Sequence, residues 1–332
     1  MKSSRRNFIK KSMLATAVIS SGLNAEAKAE NNEKNADPDF ISQNAKDNDS
    51  FKISVFSKNL QWLDYAEMAK VAAEIGFDGI DLTVRPKGHV LPERVEEDLP
   101  KAVTAIQEAG LQVYMITTGI TMTNDPLAER ILKTASSLGI RHYRMGWINY
   151  DERIGIEENL KKIKNQLNEL ALLNKKYSIQ GEYQNHSGIY FGAPIWDLHS
   201  VLQQIESPWI GSQYDIYHAT IEGANAWPIG LKLLKPYIKS INIKDFQWTK
   251  KEGRWLVESL PLGEGMVNFK EYLKLLKQTD ISVPVSIHYE YALGGAESGA
   301  TTLTIEKEYI ITAMKKDLAT LKNYLKEMKL TD

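Results

Sequence analysis

The sequence predicts an α/β protein, a (β/α)8 TIM barrel forming a single domain after a cleaved signal peptide. Short β-branched runs alternate with longer amphipathic ones from Phe51 onward, and eight such runs can be counted. Removing a leader leaves roughly 300 residues, a length that α/β barrels occupy as one domain. A doubly wound open sheet is the competing arrangement. No Gly-x-Gly-x-x-Gly follows the first strand, which weakens the dinucleotide-binding version of it.

The strands are expected at 52–57, 79–84, 111–117, 141–146, 178–183, 211–217, 239–245 and 283–290. Helix-period segments between them are clearest at 62–75, 95–109, 157–176 and 305–327. Leu160, Ile163, Leu167, Leu170 and Ala171 illustrate the single apolar stripe of such a helix. Gly76, Gly110 and Gly139 fall where a helix is closed by a residue of left-handed conformation.

Residues 1–29 read as a twin-arginine-type signal peptide. Arg5 and Arg6 precede a short apolar run, and Ala25-Glu26-Ala27 and Ala27-Lys28-Ala29 fit a cleavage site. Residues 30–50 form a polar leader, and the barrel is expected over 51–327. The product is expected to be soluble, exported and periplasmic, without a stable membrane anchor, since the apolar run is too short to span a bilayer. The signal holds six Lys/Arg and one Asp/Glu, leaving 35 basic and 41 acidic residues and a net charge of −6. That balance offers no footprint for nucleic acid. With no cysteine in the chain, disulfides, thiolate metal sites and thiol nucleophiles are excluded.

In a barrel of this kind chemistry sits at the C-terminal strand ends. Strand five ends with Glu182, and His186 lies just beyond. Strand six ends with Asp215 and then His218. Strand seven ends with Asn242 and Lys244 on one face and Asp245 on the other, and strand eight with His288 and Glu290. Three carboxylates on one buried rim repel each other unless a cation or protons intervene. A single divalent metal ion (Mn, Co, Mg or Zn) answers that problem with oxygen-rich ligation. Arg85 and His89, after strand two, project over the mouth, where they can meet polar groups of a ligand. Trp147 and Trp248 either stack on a ligand or close the mouth. His142 and His199 read as packing or surface residues.

Glu182, "DIYH", "NIKDF", "PLGEGMVNF" and the late "HYEY" together resemble the sugar phosphate isomerase/epimerase family with the xylose isomerase-like TIM barrel, over most of residues 51–325. The resemblance implies a metal held by Glu182, Asp215, Asn242 and Glu290. It makes the two glutamates the bases that shuttle a proton next to a carbonyl, and His218 a substrate contact. Asn242 stands where the family has histidine. The metal is then held more weakly, or His288 or His186 supplies the missing nitrogen, or the metal is gone. The expected catalytic residues are Glu182, Glu290 and Lys244, with His288 as a further ligand or as a group orienting one. Arg85, His89, Trp147, His186, His218 and Trp248 are the expected substrate contacts.

The expected function is metal-assisted proton abstraction next to a carbonyl on a non-phosphorylated carbohydrate, in the manner of a sugar isomerase or epimerase. A lyase expelling the aglycone of a 3-keto-glycoside uses the same machinery. A carbohydrate-binding barrel without catalysis is the reading from another class, and Asn242 is its support. DNA repair fits poorly with six histidines and an acidic mature chain.

Overall fold

A computed structural model describes residues 51–331. The expected signal peptide and leader, 1–29 and 30–50, lie outside the described residues. In chain order the elements are β1 (Ile53–Phe56), α1 (Tyr65–Ile75), β2 (Gly79–Val84), α2 (Val95–Glu108), β3 (Gln112–Thr118), α3 (Ala128–Ser137), β4 (His142–Arg144), α4 (Ile156–Tyr177), β5 (Gln180–Gln184) and α5 (Ile195–Leu202). They continue as β6 (Ile210–Asp215), α6 (Ile216–Gly223), α7 (Trp227–Leu234), β7 (Ile238–Ile243), a hairpin of β8 (Asp245–Lys251) and β9 (Arg254–Leu260), α8 (Phe269–Gln278), β10 (Val285–Ile287) and α9 (Lys307–Glu327). Eight parallel strands close in the order β1-β10-β7-β6-β5-β4-β3-β2, the expected barrel. Gly76, Gly110 and Gly139 all have positive φ, as their places after helices require.

The barrel departs from the sequence expectation in two places. Strand five runs to Gln184, so Glu182 is not its last residue. The chain after strand seven continues directly into the β8–β9 hairpin, which the sequence reading missed. Its turn, Glu252-Gly253, has φ values of 51° and 80°, the left-handed pair that a two-residue hairpin turn needs. An alternating "FQWTKKEGRWLVES" around a Glu-Gly pair was the available signal.

Apolar layers usually fill a barrel of this class; here polar side chains cross the interior. Asp81 on β2 accepts hydrogen bonds from Thr117 Oγ1 and from Ser286 Oγ, both at 2.8 Å, the second reaching from β10 past β1. Glu182 on β5 is bonded to Ser240 on β7, with β6 between them. Asn242 Nδ2 donates to Gln213 Oε1 at 2.9 Å. These groups are fully buried, so each bond offsets a desolvation cost of ~1–3 kcal/mol that an unpaired group would carry. The apolar core lies instead between strands and helices, where residues such as Leu82, Leu132, Leu167 and Leu321 pack.

Asp245 fixes the root of the hairpin. Its Oδ1 accepts the N–H groups of Phe246 and Val267, and its Oδ2 those of Gly263 and Gly265, at 2.9–3.1 Å. A Cβ at Gly265 would stand 2.2 Å from Asp245 Oδ1, so the loop "PLGEGMV" must present glycine there. Farther along, Tyr291 Oη donates to Asp317 Oδ2 on α9 at 3.0 Å and ties down the segment after β10. No helix among the described residues is long and apolar enough to cross a membrane.

Burial pushes the Asp317 carboxyl up to about 6, from an ordinary 3.8. A carboxyl raised in the folded state favours folding below its unfolded value and loses that advantage as pH rises through 6. The span amounts to about 3 kcal/mol. Asp317→Asn is therefore expected to gain stability relative to the parent between pH 4.5 and 7.5, by up to that amount. Urea denaturation at both pH values measures it, and an equal difference at the two values would refute the assignment.

Candidate active site

A cavity of about 350 Å3 opens at the C-terminal end of the barrel strands, near the low end of the ~300–1,000 Å3 typical of small-molecule sites. The end of β1 supplies Phe56 and Lys58, and the loop after β2 supplies Arg85. Arg144 and Trp147 come from β4 and its loop, and Gln184, His186 and Ser187 from β5. The first turn of α6 adds Tyr217 and His218, and the end of β7 adds Lys244. His288 and Glu290 follow β10, while Val257 and Ser259 reach in from the hairpin.

Lys244 is the group around which the deep wall is arranged. Its Nζ lies 2.7 Å from His218 Nε2 and 3.3 Å from Asp215 Oδ2, and the residue is only 5% exposed. An ammonium has only donors, so His218 Nε2 is the acceptor and its N–H sits on Nδ1, which donates to Ser187 Oγ at 2.9 Å. Asp215, the last residue of β6, also caps α6 by accepting the His218 N–H at 3.2 Å. Gln184 links this group to the next: its Nε2 donates to Asp215 Oδ2, while its Oε1 accepts from Arg144 Nη1, both at 2.7 Å.

A second cluster surrounds the ring of Phe56. Lys58 Nζ and the guanidinium carbons of Arg85 and Arg144 lie 5.6, 5.5 and 5.7 Å from its centroid. His288 stacks on the same ring at 4.2 Å. Lys58 donates to both oxygens of Glu290, at 3.0 and 3.1 Å. Trp147 and His186 form an aromatic rim, 4.4 Å apart, and His186 lies 3.9 Å from His218.

Burial and this positive surround set the protonation states. Burial first, then the Lys244 charge, hold His218 and His288 well below the usual imidazole range and push His186 down to about 4. All three rings are neutral at pH 7. Burial alone would raise the Glu290 carboxyl, but Lys244 and Lys58 outweigh it and hold it below the ordinary carboxylate value. Burial pushes Asp81 up to about 6 and also raises Asp215.

Of the residues singled out in the sequence, Arg85, Trp147, His186, His218, Lys244, His288 and Glu290 line this cavity, with Asp215 directly behind Lys244. Glu182 does not. It sits two residues, about 7 Å, deeper than Gln184, with its oxygens taken by His142 Nδ1 at 2.6 Å and by Ser240. His142, read as packing or surface, is thus its partner. His89 turns into a separate shallow pocket, its N–H bonded to Thr83 Oγ1 at 2.9 Å. Trp248 stands on the hairpin, 40% exposed and outside the lining. Phe56, Lys58, Arg144, Gln184, Ser187, Tyr217 and the two hairpin residues were missed.

The donors expected for a divalent ion do not assemble. Glu182 is turned away, both Glu290 oxygens hold Lys58, and Asp215 Oδ2 faces Gln184 and Lys244. Asn242 Oδ1 and His288 Nε2 are buried without a hydrogen-bond partner, and the Asp81 carboxyl 3.8 Å from His288 Nε2 has both oxygens taken by Thr117 and Ser286. Among the described residues no cluster of three or more His, Asp or Glu is placed to hold a metal. The positive charge of this wall belongs to its lysines and arginines.

The profile of a family described as a xylose isomerase-like TIM barrel matches residues 69–308. A search of curated proteins finds no match. Among solved structures, the chain is similar to a D-allulose 3-epimerase from Methylomonas sp., with a TM-score of 0.62 and 16% identity over 83% of this chain and 99% of that one. It is similar to the 3-keto-D-glucoside 4-epimerase of E. coli, with a TM-score of 0.60 and 15% identity over 82% and 99%. The probable 3-DHS dehydratase of Bacillus anthracis gives 0.63 and 14% over 82% and 99%. At these identities the likeness is one of fold. The profile match covers well over half of the chain, and the protein belongs to the xylose isomerase-like TIM barrel family.

Proposed function

We propose that this barrel is a sugar-modifying enzyme that removes and returns a proton on the carbon next to a carbonyl, as an isomerase or epimerase, with Lys244 rather than a divalent ion stabilising the oxyanion. The observation that carries the reading is the Lys244 ammonium, buried in the cavity wall and held by His218 and Asp215 at 2.7 and 3.3 Å. The names of the fold neighbours, two of them epimerases of sugars or keto-glycosides, agree with it. The twin-arginine leader read in the sequence favours an exported enzyme and hence an unphosphorylated carbohydrate.

Glu290 is the base in this scheme. It is ionised and faces the cavity, and Lys58 holds its carboxylate in one place. A carboxylate held low in pKa is a weak base, so the barrier must be lowered from the substrate side. Lys244 does this by donating to the carbonyl oxygen as negative charge develops there. His218 directs the ammonium: its neutral Nε2 can only accept from Lys244, and its Nδ1–H is committed to Ser187. Return of the proton by Glu290 to the neighbouring carbon gives isomerisation; epimerisation at the same carbon requires a proton delivered from the opposite face by a donor other than Glu290. Trp147 and His186 present ring faces to a sugar at the mouth.

Incubation in D2O with keto sugars and 3-keto-glycosides, followed by NMR, tests the reaction type. Deuterium should enter beside the carbonyl, and loss of the aglycone would assign a lyase instead. Exchange should be unchanged by EDTA and by added Mn2+, and a chelator-sensitive activity restored by metal would overturn the role of Lys244. Lys244→Met should lower turnover by about 100- to 1,000-fold, the usual loss for one oxyanion donor.

Two glutamates separate the roles. Glu290→Gln should abolish exchange, with a stability cost limited to loss of its partly exposed pair with Lys58. Glu182→Gln should keep KM and most turnover but lower stability by about 1–3 kcal/mol, because a buried hydrogen-bonded carboxylate is altered. Calorimetry beside the exchange assay reads both, and the reverse pattern would return Glu182 to the catalytic set.

A further inference from the structure

Arg85 and Arg144 have no use in the proton transfer described above. Among the described residues neither guanidinium is in an ion pair, although both line the cavity. Arg144 is 5% exposed, and its buried Nε has no hydrogen-bond partner; its one side-chain bond goes to the neutral amide of Gln184. Both lie over Phe56, and each adds to the cost of the other by like-charge repulsion. A buried cation without a carboxylate is among the costliest features a fold can keep. Two beside each other in a binding cavity point to a ligand that brings the missing negative charge.

The charges near the cavity say how much. Lys58, Arg85, Arg144 and Lys244 face Glu290 in the lining, with Asp215 and Asp81 buried behind. Lys58 is matched by Glu290 and Lys244 by Asp215. Asp81 is left as the nearest carboxylate for both arginines, and it is already held by Thr117 and Ser286. The surplus is about one positive charge, the complement of a monoanion. A guanidinium fork matches a planar carboxylate better than an ammonium does.

We infer that the substrate is a sugar acid whose carboxylate binds between Arg85 and Arg144 against the Phe56 ring. This rests on the proposed function and narrows its substrate class from carbohydrate to carboxylated carbohydrate. Arg85 and Arg144 are then the specificity-determining residues, while Lys244 and Glu290 act at the reacting carbon. A phosphate ester carries the same kind of oxygen atoms with up to twice the charge, and the single surplus favours the carboxylate over it.

Binding is measured apart from turnover, by isothermal titration calorimetry of the full mature protein. The probes are D-glucuronate, D-galacturonate and D-gluconate, with D-glucose and glucose 6-phosphate as the neutral and phosphorylated counterparts. At least one sugar acid should bind ten-fold or more tighter than glucose, and weaken with added salt. Arg85→Met, on a half-buried loop residue, should cost that acid ten-fold or more and cost glucose distinctly less. Arg144→Lys, which keeps the charge and loses the fork, should cost several-fold. Equal affinity for acids and glucose, acid binding indifferent to Arg85→Met, or no acid binding at all would each overturn the inference. Tighter binding of glucose 6-phosphate than of every acid would overturn the choice of carboxylate. A sugar acid that binds through Arg85 but exchanges no deuterium would refute the proposed reaction while leaving this site intact.

Discussion

The pairing of Lys244 with Asp215 is the constraint on which the rest of the site depends. Either charge alone, at this depth, would carry a desolvation penalty of several kcal/mol, and removing one partner of such a pair usually costs about 3–5 kcal/mol. Asp215 does more than neutralise the lysine. It closes β6, caps the first turn of α6 through the His218 N–H, and accepts from Gln184. The backbone of His218 is therefore positioned by the same carboxylate that holds Lys244, and the imidazole then accepts from that lysine. Strand, helix, imidazole orientation and cation placement are linked through one side chain.

The neighbouring residue supplies the rigidity. Lys244 and Asp245 are adjacent, and while the lysine enters the cavity the aspartate grips four backbone N–H groups of the hairpin root and the "PLGEGMV" loop. Four charge-assisted bonds to main chain leave little freedom in the peptide that carries Lys244. An electrostatic contribution to catalysis depends on donors being fixed before the charge develops, because reorganisation consumes the gain. The hairpin also brings Ser259 to Tyr217 Oη at 2.9 Å, which joins the insertion to the cavity wall.

The barrel was legible in the sequence because strand and helix periods differ and because eight repeats of them leave few alternatives. Lys244, Glu290, His218 and Arg85 were legible for a related reason: polar residues at the end of an apolar run have to face something. What periodicity cannot supply is depth. Glu182 and Gln184 share a face, and only the strand boundary decides which one reaches the mouth. A shift of two residues sets Glu182 below the cavity lining, bonded to His142 and Ser240. Phe56, Lys58 and Arg144 gave no local sign, since an aromatic at a strand end and a lone basic residue have ordinary structural uses. Their meaning comes from convergence around one ring, which involves strands β1, β2 and β4 together. His89 was misplaced because its loop folds back to bond Thr83 instead of crossing the mouth.

In the proposed scheme an ammonium takes the place of a divalent ion, and that has an electrostatic consequence. At equal distance and dielectric a single charge stabilises an oxyanion half as strongly as a double one. A site that relies on Lys244 must recover the difference elsewhere. Lowering the local dielectric is one means, and the burial of Lys244, His218 and His288 supplies it. Arg144 and Arg85 add positive charge with a different use, and Arg144 is bonded to the same glutamine that bonds Asp215. Surplus charge this close to the reacting carbon would bind an anionic group as firmly in the ground state as in the transition state. That binding accelerates nothing by itself, but it fixes the sugar against Phe56 while Lys244 meets the oxygen whose charge grows. The proposed division of labour follows from position: the arginines lie beside Phe56, where they would anchor, and the lysine lies at the end of β7, where it would respond to the reaction.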